Sequence, residues 1–326
     1  MTVDRDLLLR LAAGPVSGAE LARETGLTRA AMWKRIEALR EAGVDIEARP
    51  GQGYALAHAP DWLDAKTIRT ALPGPLRAGL AGLEVAWSLD STNSELLRRN
   101  TPVRGVDVLL AERQTGGRGR RGRAWASPLA AHVYLSLARQ FGGGLARLGG
   151  MSLVAGIASD EELRRAGFEG GRLKWPNDLV VVSPDGFRKL GGLLVEGGGE
   201  HGGPVRAVVG LGINVRMPET HAAGIDQPWI DLQSLSAETV SRNRIVAALL
   251  GALLPAFDRF DAEGLAPFLP RYAVLDALAG REVDVHEGMR TRRGIASGLA
   301  EDGALRVRIE GSEQRLYAGD VSVRAK

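Results

Sequence analysis

The chain has 326 residues, of which 44% are hydrophobic, 25% are charged and none is cysteine. That length is enough for two or three domains, and the lack of cysteine excludes disulfides, thiolate metal sites and cysteine nucleophiles. A net charge of +3 is too small to identify a nucleic-acid-binding protein, so local clusters of charge must decide. No apolar run approaches the roughly 20 residues that span a bilayer, and acids stand where a secretory signal would be basic. We therefore expect a cytoplasmic protein without membrane contact.

Three helices are predicted at the N-terminus. The first covers residues 4–13 and ends at Gly14-Pro15, the second covers 18–25 and ends at Gly26, and the third runs from Thr28 to about residue 42. The apolar periodicity gives the third helix an inward and an outward face. The inward face consists of Met32, Ile36 and Leu39, and the outward face of Ala30, Lys34 and Glu37.

A glycine-rich hairpin follows the third helix. Residues 44–56 alternate in polarity and turn through Pro50-Gly51-Gln52-Gly53, as a two-stranded wing would. Three helices and a hairpin predict a winged helix-turn-helix domain over residues 1–60, whose third helix approaches base edges and phosphates. The candidate DNA-binding residues are Thr28, Arg29, Ala30 and Lys34.

The remaining pattern predicts an α+β protein. A linker over 57–64 leads into a central mixed domain, residues 61–277, and a small β domain occupies residues 278–326. Strands of the central domain are predicted over 83–87, 106–111, 132–138, 171–175, 179–182, 190–196 and 205–209, and its helices over 92–99, 148–166 and 239–260. Three strands, 282–286, 305–309 and 321–324, predict a small C-terminal β-barrel.

The densest positive charge lies in a glycine-rich segment. Residues 113–123 hold five arginines and no acid, and they include Gly117-Arg118-Gly119-Arg120-Arg121-Gly122-Arg123, shortly before Trp125. Glycine permits close backbone approach, and arginine forks match phosphate and carboxylate oxygens. The string predicts a loop that closes over a phosphate-bearing ligand. By itself it fits a nucleic-acid-binding or solvated loop equally well.

A second motif, Lys174-Trp175-Pro176-Asn177-Asp178, places a lysine just before a tight turn between two predicted strands. A lysine in this place can pair with a substrate carboxylate and with the α-phosphate that the carboxylate attacks. A solvent-facing lysine beside a buried tryptophan explains the same string, so the motif alone does not decide.

Small and polar residues complete the pattern. Asp90-Ser91-Thr92-Asn93 stands between a predicted strand and a helix, where it forms an N-cap and also suits a polar ligand. Glycines interrupt two predicted strands at 191–192 and 210–212, either for close packing or to leave room for a ligand on the sheet.

In this order the motifs resemble the biotin protein ligase family, and specifically its bifunctional ligase/repressor branch. The resemblance covers nearly the whole chain and rests on the helix-turn-helix over 17–45 and on the strings DSTN, ERQTGGRGRRGRAW, KWPND, LGGLLVE and GLGIN. It implies a central domain of the biotin/lipoate ligase type and an SH3-like C-terminal barrel, the latter over residues 281–324 with Tyr317-Ala318-Gly319-Asp320-Val321. The recognition helix departs from that branch at Met32-Trp33, which leaves the operator sequence open.

The resemblance also implies roles for individual residues. The catalytic candidates are Lys174, Arg118 and Arg120. The candidates for binding biotin and its adenylate are Ser91, Thr92, Asn93, Gln114, Arg118, Gly119, Arg120, Lys174 and Trp229. Trp229 is expected to stack on adenine, with an ordinary core tryptophan as the alternative.

The implied activity is ATP-dependent biotinylation. The biotin carboxylate attacks the α-phosphorus of ATP, with Mg2+ on the phosphates, to give biotinyl-5'-AMP and pyrophosphate. A lysine of the biotin carboxyl-carrier protein of acetyl-CoA carboxylase then attacks the acyl carbon. We further expect biotinyl-5'-AMP to promote a homodimer that binds a two-fold operator DNA and represses biotin synthesis genes.

Three other interpretations remain open from the sequence. The chain could be a monofunctional ligase with a vestigial DNA-binding domain, or a lipoate ligase-like enzyme. A ligand-sensing transcription factor without catalysis is the third, and the full set of ligase motifs disfavours it.

Overall fold

The computed structural model describes residues 2–144, 148–199, 204–287, 290–318 and 322–325. Its first unit is the expected winged helix-turn-helix. The elements are α1 (Thr2–Ala12), α2 (Gly18–Thr25), α3 (Arg29–Glu41), β1 (Ile46–Arg49) and β2 (Gly53–Leu56), with β1 and β2 antiparallel.

Local capping explains where the N-terminal helices begin. Ser17 accepts a hydrogen bond from the Glu20 N–H, and Thr28 accepts one from the Ala31 N–H, as side-chain N-caps do. Gly26 ends α2 at φ 68°, a left-handed conformation that favours glycine. The inward face of α3 is buried as predicted, with Met32, Ile36 and Leu39 each at most 4% exposed. Ala30 and Lys34 are exposed, and Glu37 is half-buried.

The central domain is built on a seven-stranded mixed sheet. Its strands are β3 (Leu80–Leu89), β4 (Val106–Gln114), β5 (Val133–Phe141), β6 (Gly171–Lys174), β7 (Asp178–Ser183), β8 (Gly186–Gly199) and β9 (Val205–Ile213). The spatial order is β3-β4-β5-β9-β8-β7-β6, in which β3 and β4 are parallel and every other neighbouring pair is antiparallel.

Seven helices belong to this part of the described chain. They are α4 (Ala65–Ala71), α5 (Gly74–Ala78), α6 (Thr92–Arg98), α7 (Leu148–Arg165), α8 (Glu219–Ala222), α9 (Arg242–Glu263) and α10 (Leu269–Leu275). The sequence patterns predicted α6, α7 and α9 but not α4, α5, α8 or α10, which are four to seven residues long and show little periodicity. The equally short α6 was marked by the N-cap string Asp90-Ser91-Thr92-Asn93 before it. No helix in the described residues is both long and apolar enough to cross a membrane.

The two faces of the large sheet have different roles. One face packs against α7 and α9 and forms the main core, to which alternate residues of the strands contribute, such as Val209 and Leu211 of β9. The opposite face carries α6, whose Leu96 packs with Leu109 and Val208. Because strand side chains alternate, Gly210 and Gly212 of β9 lie on this second face. The candidate site is therefore on the α6 side.

The C-terminal unit has more strands than the sequence predicted. Its antiparallel sheet has the order β13-β12-β11-β10-β14. The strands are β10 (Glu282–Glu287), β11 (Arg290–Leu299), β12 (Leu305–Ile309), β13 (Ser312–Leu316) and β14 (Ser322–Ala325). The three-strand prediction missed β11 and β13, since both are rich in charged and polar residues. Gly319, Asp320 and Val321, which carried part of the expected resemblance, lie outside the described residues.

Candidate functional site

The N-terminus of α6 holds the first half of the site. Ser91 caps the helix, and the Thr92 N–H donates to Gln114 Oε1 at 2.8 Å across the β3–β4 pair. The Ser136 hydroxyl lies 2.7 Å from Thr92 Oγ1 and 2.6 Å from Asn93 Oδ1. Ser91, Thr92 and Asn93 are at most 4% exposed, and Gln114 is half-buried. Four of the predicted ligand-binding residues therefore form one polar cluster.

A carboxylate that the sequence analysis overlooked joins this cluster to the arginine loop. Glu196 of β8 accepts a hydrogen bond from Asn93 Nδ2 at 2.9 Å and pairs with Arg118 Nη2 at 2.9 Å. Arg118 Nη1 also lies 2.5 Å from Ser94 Oγ. In the sequence, Glu196 stands out only as the last residue of the LGGLLVE motif. Its role becomes visible only when β8 is placed beside α6.

Arg120 points to the other half of the site. Its guanidinium contacts Asn177 Oδ1 at 3.4 Å and also donates to the carbonyl of Ala318 in the C-terminal unit. Burial, with Arg121 nearby, lowers the pKa of Arg120 below its ordinary value. Gly119, between the two arginines, is half-buried and donates its N–H to the Arg123 carbonyl at 2.7 Å. The loop thus spans both halves of the site.

Asp178, at the turn after β6, is the register partner of Lys174 and forms an ion pair with Lys189. Lys174 is half-buried and pairs in register with Asp178 across the β6–β7 hairpin, with a cis Trp175–Pro176 bond between them. Lys189 Nζ lies 2.7 Å from Asp178 Oδ1, and its side chain is 19% exposed. Lys189 was not among the predicted site residues, although it directly precedes the glycine-rich LGGLLVE string.

Two glycines on neighbouring strands make room for an indole ring between the two halves. Gly192 and Gly212 are paired in register across β8 and β9. A Cβ at Gly212 would lie 2.8 Å from the Trp125 ring, and one at Gly192 would lie 3.5 Å from it. Lys189 Nζ lies 5.4 Å from the centre of the same ring, a cation–π distance. At these positions the strand glycines serve close packing of a side chain on the sheet.

Trp229 lies next to the lysine side of the site. It forms a parallel bridge with Lys189, whose N–H donates to the Pro228 carbonyl while its own carbonyl accepts from the Ile230 N–H. The ring is half-buried rather than part of the core. The structure thus brings Trp229 to the predicted site, while its stacking on adenine stays a prediction.

The predicted DNA-binding residues form a separate surface on the N-terminal unit. Arg29, Ala30 and Lys34 are exposed on α3, and in the described part of the chain neither Arg29 nor Lys34 has a carboxylate partner. The exposed Trp33 ring and the wing flank a groove of about 600 Å³ between helix and hairpin. Arg29 lines this groove, and an exposed arginine there suits contact with a phosphate.

Comparisons with known proteins agree with this three-part arrangement. Residues 5–55 match a helix-turn-helix domain family, residues 85–214 the biotin/lipoate A/B protein ligase family, and residues 279–324 the biotin protein ligase C-terminal domain. The chain is 39% identical to the bifunctional ligase/repressor BirA of Escherichia coli over 99% of this chain and 98% of that protein. It is 32% identical to a biotin–[acetyl-CoA-carboxylase] ligase of Paracoccus denitrificans over 71% of this chain and 96% of that one. The structure of a biotin protein ligase from Aquifex aeolicus in complex with biotin and ATP matches with a TM-score of 0.64 at 26% identity, covering 76% of this chain and all of that one.

Proposed function

Because the chain belongs to the biotin protein ligase family, in its bifunctional ligase/repressor branch, we propose that the α6 face of the large sheet is where it activates and transfers biotin. The protein is an ATP-dependent biotin protein ligase and carries the helix-turn-helix domain of a repressor. The observation that carries the assignment of the site is the convergence of Asn93, Arg118 and Glu196 on the glycine-bearing face of the large sheet.

We propose that the cluster around α6 binds the polar ring of biotin. Thr92, Asn93, Gln114 and Ser136 offer hydroxyl and amide groups, which suit a neutral ureido group. Their mutual hydrogen bonds fix their orientations before the ligand arrives, and such preorganisation reduces the cost of binding. Ser91 acts indirectly, because its side chain caps the helix that carries the other groups.

The cationic side chains in the other half of the site lie where we propose that negative charge develops during the reaction. In the first step a biotin carboxylate oxygen forms a bond to the α-phosphorus of ATP and the bond to pyrophosphate breaks. In the second, the amine of the acceptor lysine bonds to the acyl carbon, loses a proton and displaces AMP. Arg120, Lys174 and Lys189 supply positive charge around these atoms, and positioning with charge stabilisation is what such transfers need from a protein.

Magnesium fits this scheme as part of the ATP substrate. Within the described ranges no group of three or more acidic or histidine side chains could hold a metal ion. The carboxylates named in the site, Asp178 and Glu196, are each paired with a base. Mg2+ commonly binds through phosphate oxygens and water with few protein ligands, so we assign it none here.

The regulatory part of the proposal is that biotinyl-5'-AMP promotes a homodimer. One winged helix makes few phosphate contacts, and two of them on a two-fold operator add their contacts and read a half-site spacing.

We propose the carboxyl-carrier protein of acetyl-CoA carboxylase as the acceptor, operator DNA as the second partner, and the cytoplasm as the location. The domain boundaries proposed for these roles are 1–60, 61–277 and 278–326.

One experiment tests both parts. The purified protein is incubated with biotin, ATP–Mg and a carrier domain, and pyrophosphate release, label transfer and sedimentation are followed in the same preparation. Lipoate in place of biotin tests the lipoate ligase alternative. If biotin is transferred but the ligands change neither assembly nor DNA affinity, the protein is a monofunctional ligase. If the ligands bind but no pyrophosphate is released, it is a ligand-sensing transcription factor without catalysis.

A further inference from the structure

The segment predicted as a linker is fixed to the ligase domain. Asn243, in the first turn of α9, binds it at three points: its Nδ2 donates to Asp61 Oδ1 at 3.0 Å and to the Trp62 carbonyl at 2.7 Å, and its Oδ1 accepts from the Asp64 N–H at 2.8 Å. In a flexible tether, three groups from residues 61–64 would not all hydrogen-bond to one side chain. This part of the linker is a rigid attachment.

A buried ion pair lies beneath the same segment. Arg242 and Glu112 are 2% and 3% exposed, and Arg242 Nη1 lies 2.8 Å from Glu112 Oε2. The second oxygen of Glu112 accepts from the Leu63 N–H at 2.7 Å, and the Arg242 guanidinium donates to the Asp61 carbonyl. Both charges are therefore used to hold the linker backbone as well as each other, which is how buried charges become tolerable.

The N-terminal unit also touches the ligase domain at a second place. The Leu129 N–H donates to the Ala42 carbonyl at 2.7 Å, and Leu129 packs into the core of the helix-turn-helix. Trp62 of the linker packs on Trp87 of β3 with ring centres 5.2 Å apart. Two contacts far apart in sequence restrain both position and rotation, whereas one would leave a hinge.

From these contacts we infer that Asn243 is a positioning residue for the DNA-binding domain. By holding residues 61–64 on α9 it fixes the orientation of α3 relative to the ligase domain. In a two-fold dimer this fixes the distance between the two recognition helices. The protein therefore reads the spacing of the operator half-sites. The DNA part of this inference rests on the proposed function, but the orientation itself does not.

The orientation is measured without DNA by spin labelling. The natural chain has no cysteine, so Ala38→Cys on α3 and Val274→Cys on α10, both exposed, give two unique labels. Labelled protein is diluted into unlabelled protein, and the intramolecular distance distribution is recorded by pulsed electron resonance. We expect a narrow distribution in the parent and a clearly broader one with Asn243→Ala. Arg244→Ala, exposed on the same helical turn, is the matched control and leaves the width unchanged.

The spacing readout uses duplex DNA selected by the parent protein from a random pool. The selected duplex is remade with half a turn, about 5 base pairs, inserted between its half-sites. The parent binds the original far more tightly than the lengthened duplex, and in Asn243→Ala the ratio of the two affinities falls towards 1. General destabilisation lowers both affinities equally and leaves the ratio unchanged.

The outcomes separate the two hypotheses. If the distance distribution of Asn243→Ala is as narrow as that of the parent, or its affinity ratio is unchanged, the inference is wrong while the repressor function stands. If the parent selects no DNA, the proposed repressor function fails, and the spin-label result alone decides whether Asn243 fixes the orientation.

Discussion

The Trp125 ring rests on a surface that only glycine permits, and Gly212→Ala tests how much the site depends on it. A Cβ at this position would lie 2.8 Å from two ring carbons and 3.0 Å from the indole nitrogen. Restoring ordinary contact at about 3.4 Å moves the ring by roughly 0.6 Å, since β9 is held between β5 and β8 and cannot yield. Forcing an extra methyl group into such packing costs about 1–3 kcal/mol.

We expect that cost to appear mainly in ligand binding. The ring is half-buried and faces the proposed site, so it relieves the contact by moving into the space of the ligand rather than by unfolding the sheet. Each 1.4 kcal/mol corresponds to a tenfold change in affinity. Gly212→Ala should therefore weaken biotin binding by roughly 5- to 140-fold, measured by calorimetry and by the KM for biotin in pyrophosphate release.

The matched control is Gly251→Ala in the middle of α9. A Cβ there meets nothing within 4 Å, and alanine favours a helix over glycine by about 1 kcal/mol. The control should bind biotin normally and unfold at the same or a higher urea concentration than the parent. Normal biotin affinity in Gly212→Ala would refute the assignment of the Trp125 surface to the ligand site.

Three further changes test other parts of the molecule. Arg120→Gly should leave the fold intact, because the residue lies in a loop, but should shorten the lifetime of the adenylate and raise labelling of bystander lysines; an unchanged lifetime would count against a retaining loop. Burial lowers the pKa of His132 to about 3, so the unfolded chain, with a pKa near 6.5, binds an extra proton between these values. The free energy of unfolding is therefore highest above pH 6.5, and protonation of His132 in the unfolded chain lowers it by about 2 kcal/mol at pH 5. Urea titrations of His132→Gln should lack this decline. Lys34→Ala should reduce the salt dependence of DNA binding by about one counterion, while Arg5→Ala, exposed on α1, should not; equal slopes for both would remove Lys34 from the DNA contact.

The sequence predicted the features that depend on residues close together in the chain. Ser17 and Thr28 mark helix starts, and the period of Met32, Ile36 and Leu39 gives the buried face of α3. The motif order indicated the ligase type, and the structure brings the predicted residues from Ser91 to Trp229 onto one face of the sheet. The helix starts and the buried face of α3 require only neighbouring residues to recognise.

What the sequence could not show depends on partners far away along the chain. Glu196 is 78 residues from Arg118, and Asn243 is 182 residues from Asp61. The attachment of linker residues 61–64 to α9 could not be read from the sequence for this reason, because a short segment looks the same whether it is free or bound. Lys189 was missed for a different reason: its partner Asp178 is only 11 residues away, but the two meet only because β7 and β8 pair.

The position of β9 in the middle of the sheet has a consequence for biosynthesis. β9 is the last of the seven strands to leave the ribosome, yet it joins β5 to β8 and carries Gly210 and Gly212. The helix-turn-helix elements end at Leu56, 157 residues before Ile213, which at about 5–20 residues per second is a delay of roughly 8–30 s. During that interval the helix-turn-helix elements are complete, while the strands already made have unpaired edges, which are prone to misassociate. Translation thus completes the helix-turn-helix domain before the ligase domain.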